Sequence, residues 1–252
     1  MDFNLYLTEM KIKSGIPKEN YLYDLPVVKN IIKMRGLSFG KPITFFVGDN
    51  GVGKSTLIEA IAINLGFNPE GGTKNYNYQT KNTHSVLYDY ITLVKSFNRP
   101  KHGYFLRAET FYNSLSYMDY IDDIQTEKSF LSHITSSNES NYHSCSHGES
   151  FLNMISEFPG KGIYILDEPE AALSPKGIMS LMCYLDDLVK NGSQFIISTH
   201  SPILITMPNS TIYSINDEKI EQKKYWETEH YTISKRFLEK PESMLNILLN
   251  KK

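Results

Sequence analysis

Residues 48–56 read GDNGVGKST. Gly48, Gly53, Lys54 and Ser55 fit the spacing G-x-x-x-x-G-K-[ST], in which glycines let the backbone fold so tightly that several N–H groups converge on one anion. A helix starting at the same place adds the positive potential of its N-terminus. In such a loop Lys54 reaches for the β- and γ-phosphates of a nucleotide and the Ser55 hydroxyl for Mg²⁺. A second stretch, GIYILDEPE, ends an apolar run in Asp167 and Glu168. An acid there can hold Mg²⁺ directly or through water, and the next carboxylate can orient and activate a water for attack on the γ-phosphate. Neighbouring residues on a strand point to opposite sides, so a strand end or a turn must bring both acids to one place.

Two further stretches have chemical capacity. SHGES, Ser146 to Ser150, opens the apolar segment FLNMISEF. A serine and a glycine at a helix N-terminus make a second phosphate cradle, although Ser146 with Glu149 is by itself an ordinary capping box. One nucleotide needs one cradle, so a second suggests a nucleotide held by another copy of the chain. STHSP sets His200 after the apolar run QFIIS. An imidazole there can donate a hydrogen bond to a γ-phosphate or to the attacking water, or be a polar residue in the turn before Pro202.

These groups need elements to hold them. FNLYLTEMKI alternates as a strand, with Leu5 and Leu7 on one face and Tyr6 and Thr8 on the other. Ile43, Phe45, Phe46 and Val47 read as a buried strand before the glycine loop; Leu57, Ile58, Ile61 and Leu65 fall at helical spacing after it, with Gly66 as C-cap. Gly71 to His84 is a polar loop or hairpin. SVLYDYITLVKSF fits strand or helix, and GYFLRAETFY reads as a strand. FLNMISEF gathers Phe151, Leu152, Ile155 and Phe158 on one helical face, with Pro159-Gly160 as its stop. Ser174 and Pro175 read as N-cap and first-turn proline of a helix that Gly192 closes. TIYSI and the polar stretch to Tyr225 read as a strand pair, and the chain from Ser234 onward as helix. Strands alternating with helices predict an α/β sheet with its site at the strand C-termini.

The order GDNGVGKST, SHGES, ILDEPEAALS, ISTHSP resembles the ATP-binding-cassette ATPases. More narrowly, it is similar to the soluble, cassette-type AAA-family ATPases related to the heads of SMC and DNA-repair ATPases. The phrases LRAE, SHGESFL, LDEPEAALSP and STHSPIL resemble a small stand-alone ATPase family of bacteria. This resemblance implies one α/β P-loop NTPase domain over 1–252, of ABC-ATPase head type: a mixed sheet flanked by helices, with a small helical subdomain at about 110–150. It implies a Walker A loop at Gly48 to Thr56, with Gly48, Asn50, Gly51, Gly53, Lys54, Ser55 and Thr56 holding nucleotide. It implies a Walker B strand ending in Asp167, on magnesium with Ser55, and in Glu168, the catalytic carboxylate. Ser146, His147, Gly148 and Glu149 match the signature loop that meets the partner's γ-phosphate. Ala171, Ala172, Leu173 and Ser174 match the D-loop, and His200 the switch histidine. ATP and Mg²⁺ are the implied cofactors. The implied partner is a second copy, in an ATP-sandwiched head-to-tail homodimer that closes on binding and opens on hydrolysis.

The chain departs from that pattern. His147 stands where L-S-G-G-Q has its first glycine, and Glu149 where it has glutamine. The Q-loop glutamine is not evident; Glu109 is the candidate for its place, its carboxylate a Mg²⁺ ligand directly or through water. Arg107 could touch phosphate or pair with Glu109. Ser174 takes a D-loop position that is often aspartate. Tyr21 or Tyr23 is a candidate to stack on adenine. The segment from Glu109 to Ser146 is under ~40 residues and shows no heptads, so a long coiled-coil arm is excluded.

Composition narrows the choice of partners. The chain has 252 residues, 40% hydrophobic, with 26 basic and 28 acidic side chains. A net charge of −2 gives no global pull toward nucleic acid. Two cysteines make no disulfide framework. The HSCSH alternation of His143, Cys145 and His147 lacks the paired spacing of a zinc site. With no signal-peptide pattern at the N-terminus and no apolar run near ~20 residues, the expectation is a cytoplasmic protein without a membrane span. The leading reading is a dimerising ATPase that drives or gates a partner activity, in genome maintenance or anti-phage defence by family analogy. The alternative is a nucleotide-gated module binding DNA or an effector protein with little turnover. A transporter ATPase subunit is the least favoured, because the signature loop fits it poorly.

Overall fold

The computed structural model describes residues 5–13, 15–17, 19–69, 71–72, 85–108 and 147–249. Its centre is the strand Ile43–Gly48, in which all six residues are buried. A strand buried throughout belongs in a parallel sheet covered on both faces. Numbering from the N-terminus, the strands are β1 (Leu7–Ile12), β2 (Leu37–Ser38), β3 (Ile43–Gly48), β4 (Ile91–Lys95), β5 (His102–Arg107), β6 (Gly162–Asp167), β7 (Gln194–Ser198), β8 (Ser210–Ile215) and β9 (Ile220–Lys223). The main sheet has six strands in the order β5-β6-β7-β3-β8-β9. β5, β6, β7, β3 and β8 are parallel, and β9 returns antiparallel to β8. The expected mixed α/β sheet is therefore observed.

Side-chain alternation along these strands divides the core in two. Phe46, Phe105, Ile163, Ile165 and Ile196 face one side, where α1 (Pro26–Met34) and α2 (Lys54–Asn64) pack. Phe45, Val47, Tyr164, Leu166, Phe195 and Ile197 face the other, against α3 (His147–Ser156) and α4 (Pro175–Lys190). Ser174 caps α4 as its type predicts: its Oγ accepts from Gly177 N at 3.1 Å, and Pro175 fills the first turn. α5 (Glu229–Glu239) and α6 (Pro241–Leu248) end the described chain.

A second sheet, antiparallel in the order β2-β1-β4, is not foreseen by the sequence reading. It forms because SVLYDYITLVKSF divides its two tendencies: a 3-10 turn over Val86–Tyr90, then β4 paired to β1. Tyr6 and Leu7, expected on opposite faces, are both buried; Gln194 Oε1 accepts their two N–H groups at 2.9 Å each, and the register shifts between Leu7 and Glu9. Two smaller expectations shift along the chain. The C-cap of α2 is Leu65, with Gly66 following at φ +90°, and Met154 is fully buried where Leu152 is only partly so. The expected helical subdomain at about 110–150 lies outside the described residues, apart from the start of α3.

Candidate functional site

The three central strands β6, β7 and β3 are adjacent, so the loops leaving their C-terminal ends meet at one edge of the sheet. Their registers are matched there: Phe46 is level with Ser198, and Asp167 with both Ser198 and Arg107. The glycine loop, the acid pair and the histidine thus converge because the parallel ladder sets their strand ends side by side.

Gly48 ends β3 at φ +152°, and a Cβ added to it would lie 2.2 Å from the Ile215 carbonyl oxygen. Gly53, at φ +95°, would drive a Cβ to 2.6 Å from Val27 Cγ1. Gly48 is required by close approach of another backbone and Gly53 by close packing on a side chain, both as well as by their positive φ. Gly51 is different: at φ +85° its Cβ would meet nothing within 4 Å, so the loop's crown faces open space beside exposed Asn50. α2 starts at Lys54, and the Lys54 Nζ bends back to donate to the carbonyls of Gly48 and Asp49, each at 2.9 Å. Burial pulls this ammonium below its ordinary pKa, while Glu168, Asp167, Asp49 and Glu170 oppose that shift. A buried cation ringed by four acids, at the mouth of a helix N-terminus, is a fit for a polyanion bound with a cation.

Asp167 is the hub. Its Oδ1 accepts from Ser55 Oγ at 3.2 Å and, closely, from Ser198 Oγ. Its Oδ2 lies 3.6 Å from Arg107 Nε. Burial pushes the carboxyl above the ordinary range, with Ser198, Arg107 and Ser55 pulling it back and Glu168 adding to the rise. A hydroxyl and a carboxylate joined in this way are hard oxygen donors. Mg²⁺ keeps several waters and commonly takes one or two carboxylates with substrate phosphates, so this pair fits it. Arg107 resolves to ion pairs with Asp167 and, at 2.8 Å, with Glu59 of α2.

The acids separate as their adjacency requires. Glu168 adopts the left-handed conformation, φ 50° and ψ 53°, so the chain turns there and its side chain joins the site beside Asp167. Its N–H stays tied to Ser198 O at 3.1 Å. Glu168 Oε1 lies 3.4 Å from His200 Nε2.

Two residues that sequence reasoning missed complete the arrangement. Glu170 Oε1 accepts from the His200 backbone N–H at 2.6 Å and holds the loop after β7, while burial raises its carboxyl pKa. Its only sequence signal is the third acid in DEPE. His230, in the first turn of α5, sets its Nε2 3.0 Å from His200 Nδ1. Nothing local in TEHYT announces that contact.

The remaining positions fall as follows. Thr56 sits in the first turn of α2, partly exposed. Gly148 and Glu149 lie in the first turn of α3, which packs on the sheet face opposite α2. Ser146 and Glu109 lie outside the described residues, as do His143 and Cys145. Ala172 ends the 3-10 turn Pro169–Ala172, Leu173 is partly buried, and Ser174 is the α4 cap. Tyr21 is 55% exposed and its hydroxyl donates to Ser85 Oγ at 2.8 Å; Tyr23 is 37% exposed. Both precede α1, whose Val27 N–H donates to Val52 O of the glycine loop at 3.1 Å. Among the described residues no helix is long and apolar enough to cross a membrane.

Comparison with known proteins gives the following relatives. Curated relatives include the energy-coupling factor transporter ATP-binding protein EcfA of Methanosphaera stadtmanae, 43% identical over 58 residues, which are 23% of this chain and 21% of that protein. The EcfA of Methanocaldococcus jannaschii is 41% identical over the same length and shares. The chain therefore spans about a fifth of the length of the curated relatives it matches. Among solved structures, cbiO1 from Clostridium perfringens, part of the ABC transporter complex cbiONQ, aligns over 94% of this chain and 97% of its own, at 16% identity and TM-score 0.48. An ABC-transporter ATP-binding cassette in its ADP conformation aligns over 87% and 91%, at 15% identity and TM-score 0.45. The AAA domain family matches residues 31–159, just over half of the chain and inclusive of the glycine loop. With that match the chain belongs to the AAA domain family.

Proposed function

We propose that this chain binds ATP with Mg²⁺ at the carboxyl edge of β3, β6 and β7 and hydrolyses it to ADP and phosphate. The observation that carries the reading is the convergence of Lys54, Ser55, Asp167, Glu168 and His200 around one edge, with Ser55 bonded to Asp167 at 3.2 Å and Glu168 3.4 Å from His200. In this reading the N–H groups of Gly51 to Ser55 and the Lys54 ammonium hold the phosphates. Ser55 and Asp167 hold Mg²⁺, which when bound neutralises charge on the phosphate oxygens. Glu168 orients a water and takes its proton as the oxygen bonds the γ-phosphorus; the bond to the β-phosphate oxygen breaks, and ADP leaves. His200 donates toward the developing charge.

The reading includes pairing of two copies head to tail, with Ser146, His147, Gly148 and Glu149 of one completing the nucleotide site of the other. Its support is the placement of the α3 start on the sheet face opposite α2. Leu173 and Ser174 then lie at the joint. The chain is read as one domain with its helical subdomain at about 110–150, and Tyr21 or Tyr23 as the adenine contact. A second reading, a nucleotide-gated module for DNA or an effector with little turnover, is favoured by His147 and Glu149, since an acid beside a phosphate raises the cost of closure. A transport role, named for the curated relatives, would require a membrane partner.

The test is mass in solution with and without ATP and Mg²⁺, using Glu168→Gln to hold the closed state. The expected result is a dimer only with ATP, lost when Ser146→Arg is added, together with at least a ~100-fold fall in steady-state hydrolysis for Glu168→Gln. Equal, slow hydrolysis by wild type and Glu168→Gln favours the gated module. A monomer throughout, with ATP bound, removes the head-to-tail pairing.

A further inference from the structure

The His200 ring lies between another imidazole and a carboxylate. Its Nε2 lies 3.4 Å from Glu168 Oε1, and its Nδ1 lies 3.0 Å from His230 Nε2, with the two ring centroids 5.2 Å apart. His230 comes from α5, some 30 residues beyond the switch loop and outside every motif discussed above. We infer that His230 is a positioning residue that fixes the tautomer and the aim of His200. The inference rests on the hydrolytic reading of the site.

Donors and acceptors decide the tautomer. A neutral imidazole carries one N–H, and the bond made at one nitrogen decides which nitrogen keeps the proton. His200 Nε2 is buried, makes no hydrogen bond and lies 3.4 Å from Glu168 Oε1, where an ionised carboxylate favours an N–H over a lone pair on that nitrogen. His200 Nδ1 is then the acceptor, and the donor facing it must be His230 Nε2–H. The order is then His230 Nε2–H donating to His200 Nδ1, with His200 Nε2–H turned toward Glu168 without bonding to it. In that state the donor of the switch histidine points to the catalytic carboxylate and the phosphate side. Burial, then the neighbouring His200 and Lys54, keep the His230 pKa below its ordinary value, which agrees with a neutral donor. Glu170 is the companion clamp, on the His200 backbone at 2.6 Å. The N-terminus of α5 thus becomes part of the site, and any movement of α5 is passed to His200 through one hydrogen bond.

The experiment compares His230→Ala, His230→Gln, His200→Ala and the double variant. In steady-state ATP hydrolysis, His230→Ala is expected to lower kcat about 10-fold with KM within about 2-fold, the scale of losing a group that orients a reacting one. His230→Gln, whose amide can donate to Nδ1, is expected to recover most of that loss. In the His200→Ala background, His230→Ala is expected to cost nothing further, because the two act as a unit. An equal loss in both backgrounds, or an unchanged kcat, overturns the assignment. A second arm needs no turnover: two-bond ¹⁵N–¹H correlation spectra of the full chain without nucleotide. The expected spectrum shows His200 as a single Nε2–H tautomer that shifts toward a mixture in His230→Ala. A Nδ1–H form in wild type, or no change in His230→Ala, overturns it. If wild type hydrolyses no ATP, the hydrolytic reading fails, and the spectra still decide the role of His230.

Discussion

Asp167 shows how one buried carboxylate is made usable. Two hydroxyls and a guanidinium face it, yet burial outweighs them and its pKa stands above the ordinary value. The sign of the linkage follows. The folded chain binds this proton more tightly than the unfolded chain, so Asp167 costs stability as pH rises from the ordinary carboxylate value through the raised one. Asp167→Asn, without Mg²⁺ or nucleotide, is expected to stabilise the fold at pH 8 by on the order of 1 kcal/mol, the scale of replacing a buried charge by a neutral isostere. The gain should vanish below the ordinary carboxylate pKa, where aspartic acid is neutral in both states. Urea unfolding at the two pH values measures it, and a loss of stability at pH 8 would mean that the Arg107 pair outweighs desolvation.

At the scale of the element, the glycine loop is a strand end, a crown and a helix start with different tolerances. Gly48 is closed in by β8, since its Cβ would come 2.2 Å from the Ile215 carbonyl. Gly51 has only its left-handed φ against it, with nothing within 4 Å. Gly48→Ala is therefore expected to destabilise by about 3 kcal/mol or more, from overlap with backbone that cannot give way. Gly51→Ala should cost about 1–2 kcal/mol, the price of a left-handed L-residue alone. Chemical denaturation of the two variants tests the ranking. Equal costs would mean that β8 yields, and that the site edge is softer than its buried ladder implies.

For the whole molecule, the sheet divides two apolar cores, and the site lies on the edge where both end. A ligand there ties the α2 side to β6 and β7 and so stabilises the cooperative unit. At an ATP concentration near 100 times its dissociation constant, with Mg²⁺, stabilisation is expected at about 2.7 kcal/mol. For a chain of this size that raises the Tm by roughly 5–10 °C. Lys54→Ala should remove the shift while leaving the nucleotide-free Tm close to wild type, because Nζ bonds only to loop carbonyls. A scan of Tm against ATP with and without Mg²⁺ measures both. A shift retained by Lys54→Ala would place the nucleotide elsewhere.

The sequence by itself determined the elements that depend on local chemistry. ITFFV had to be a buried strand, GDNGVGKST a tight loop before a helix, and Ser174-Pro175 a helix start, because each follows from side-chain pattern, glycine freedom or capping over a few residues. Motif order then made Lys54, Ser55, Asp167, Glu168 and His200 legible as one site. Only the tertiary structure decided how that site is held. Arg107 pairs with Glu59 and Asp167, Glu170 grips the His200 loop, and His230 reaches His200 from α5. The second sheet and the shared burial of Tyr6 and Leu7 on Gln194 are of the same kind. Such contacts join residues far apart in the chain, and they arise from strand order and register, which no local spacing encodes.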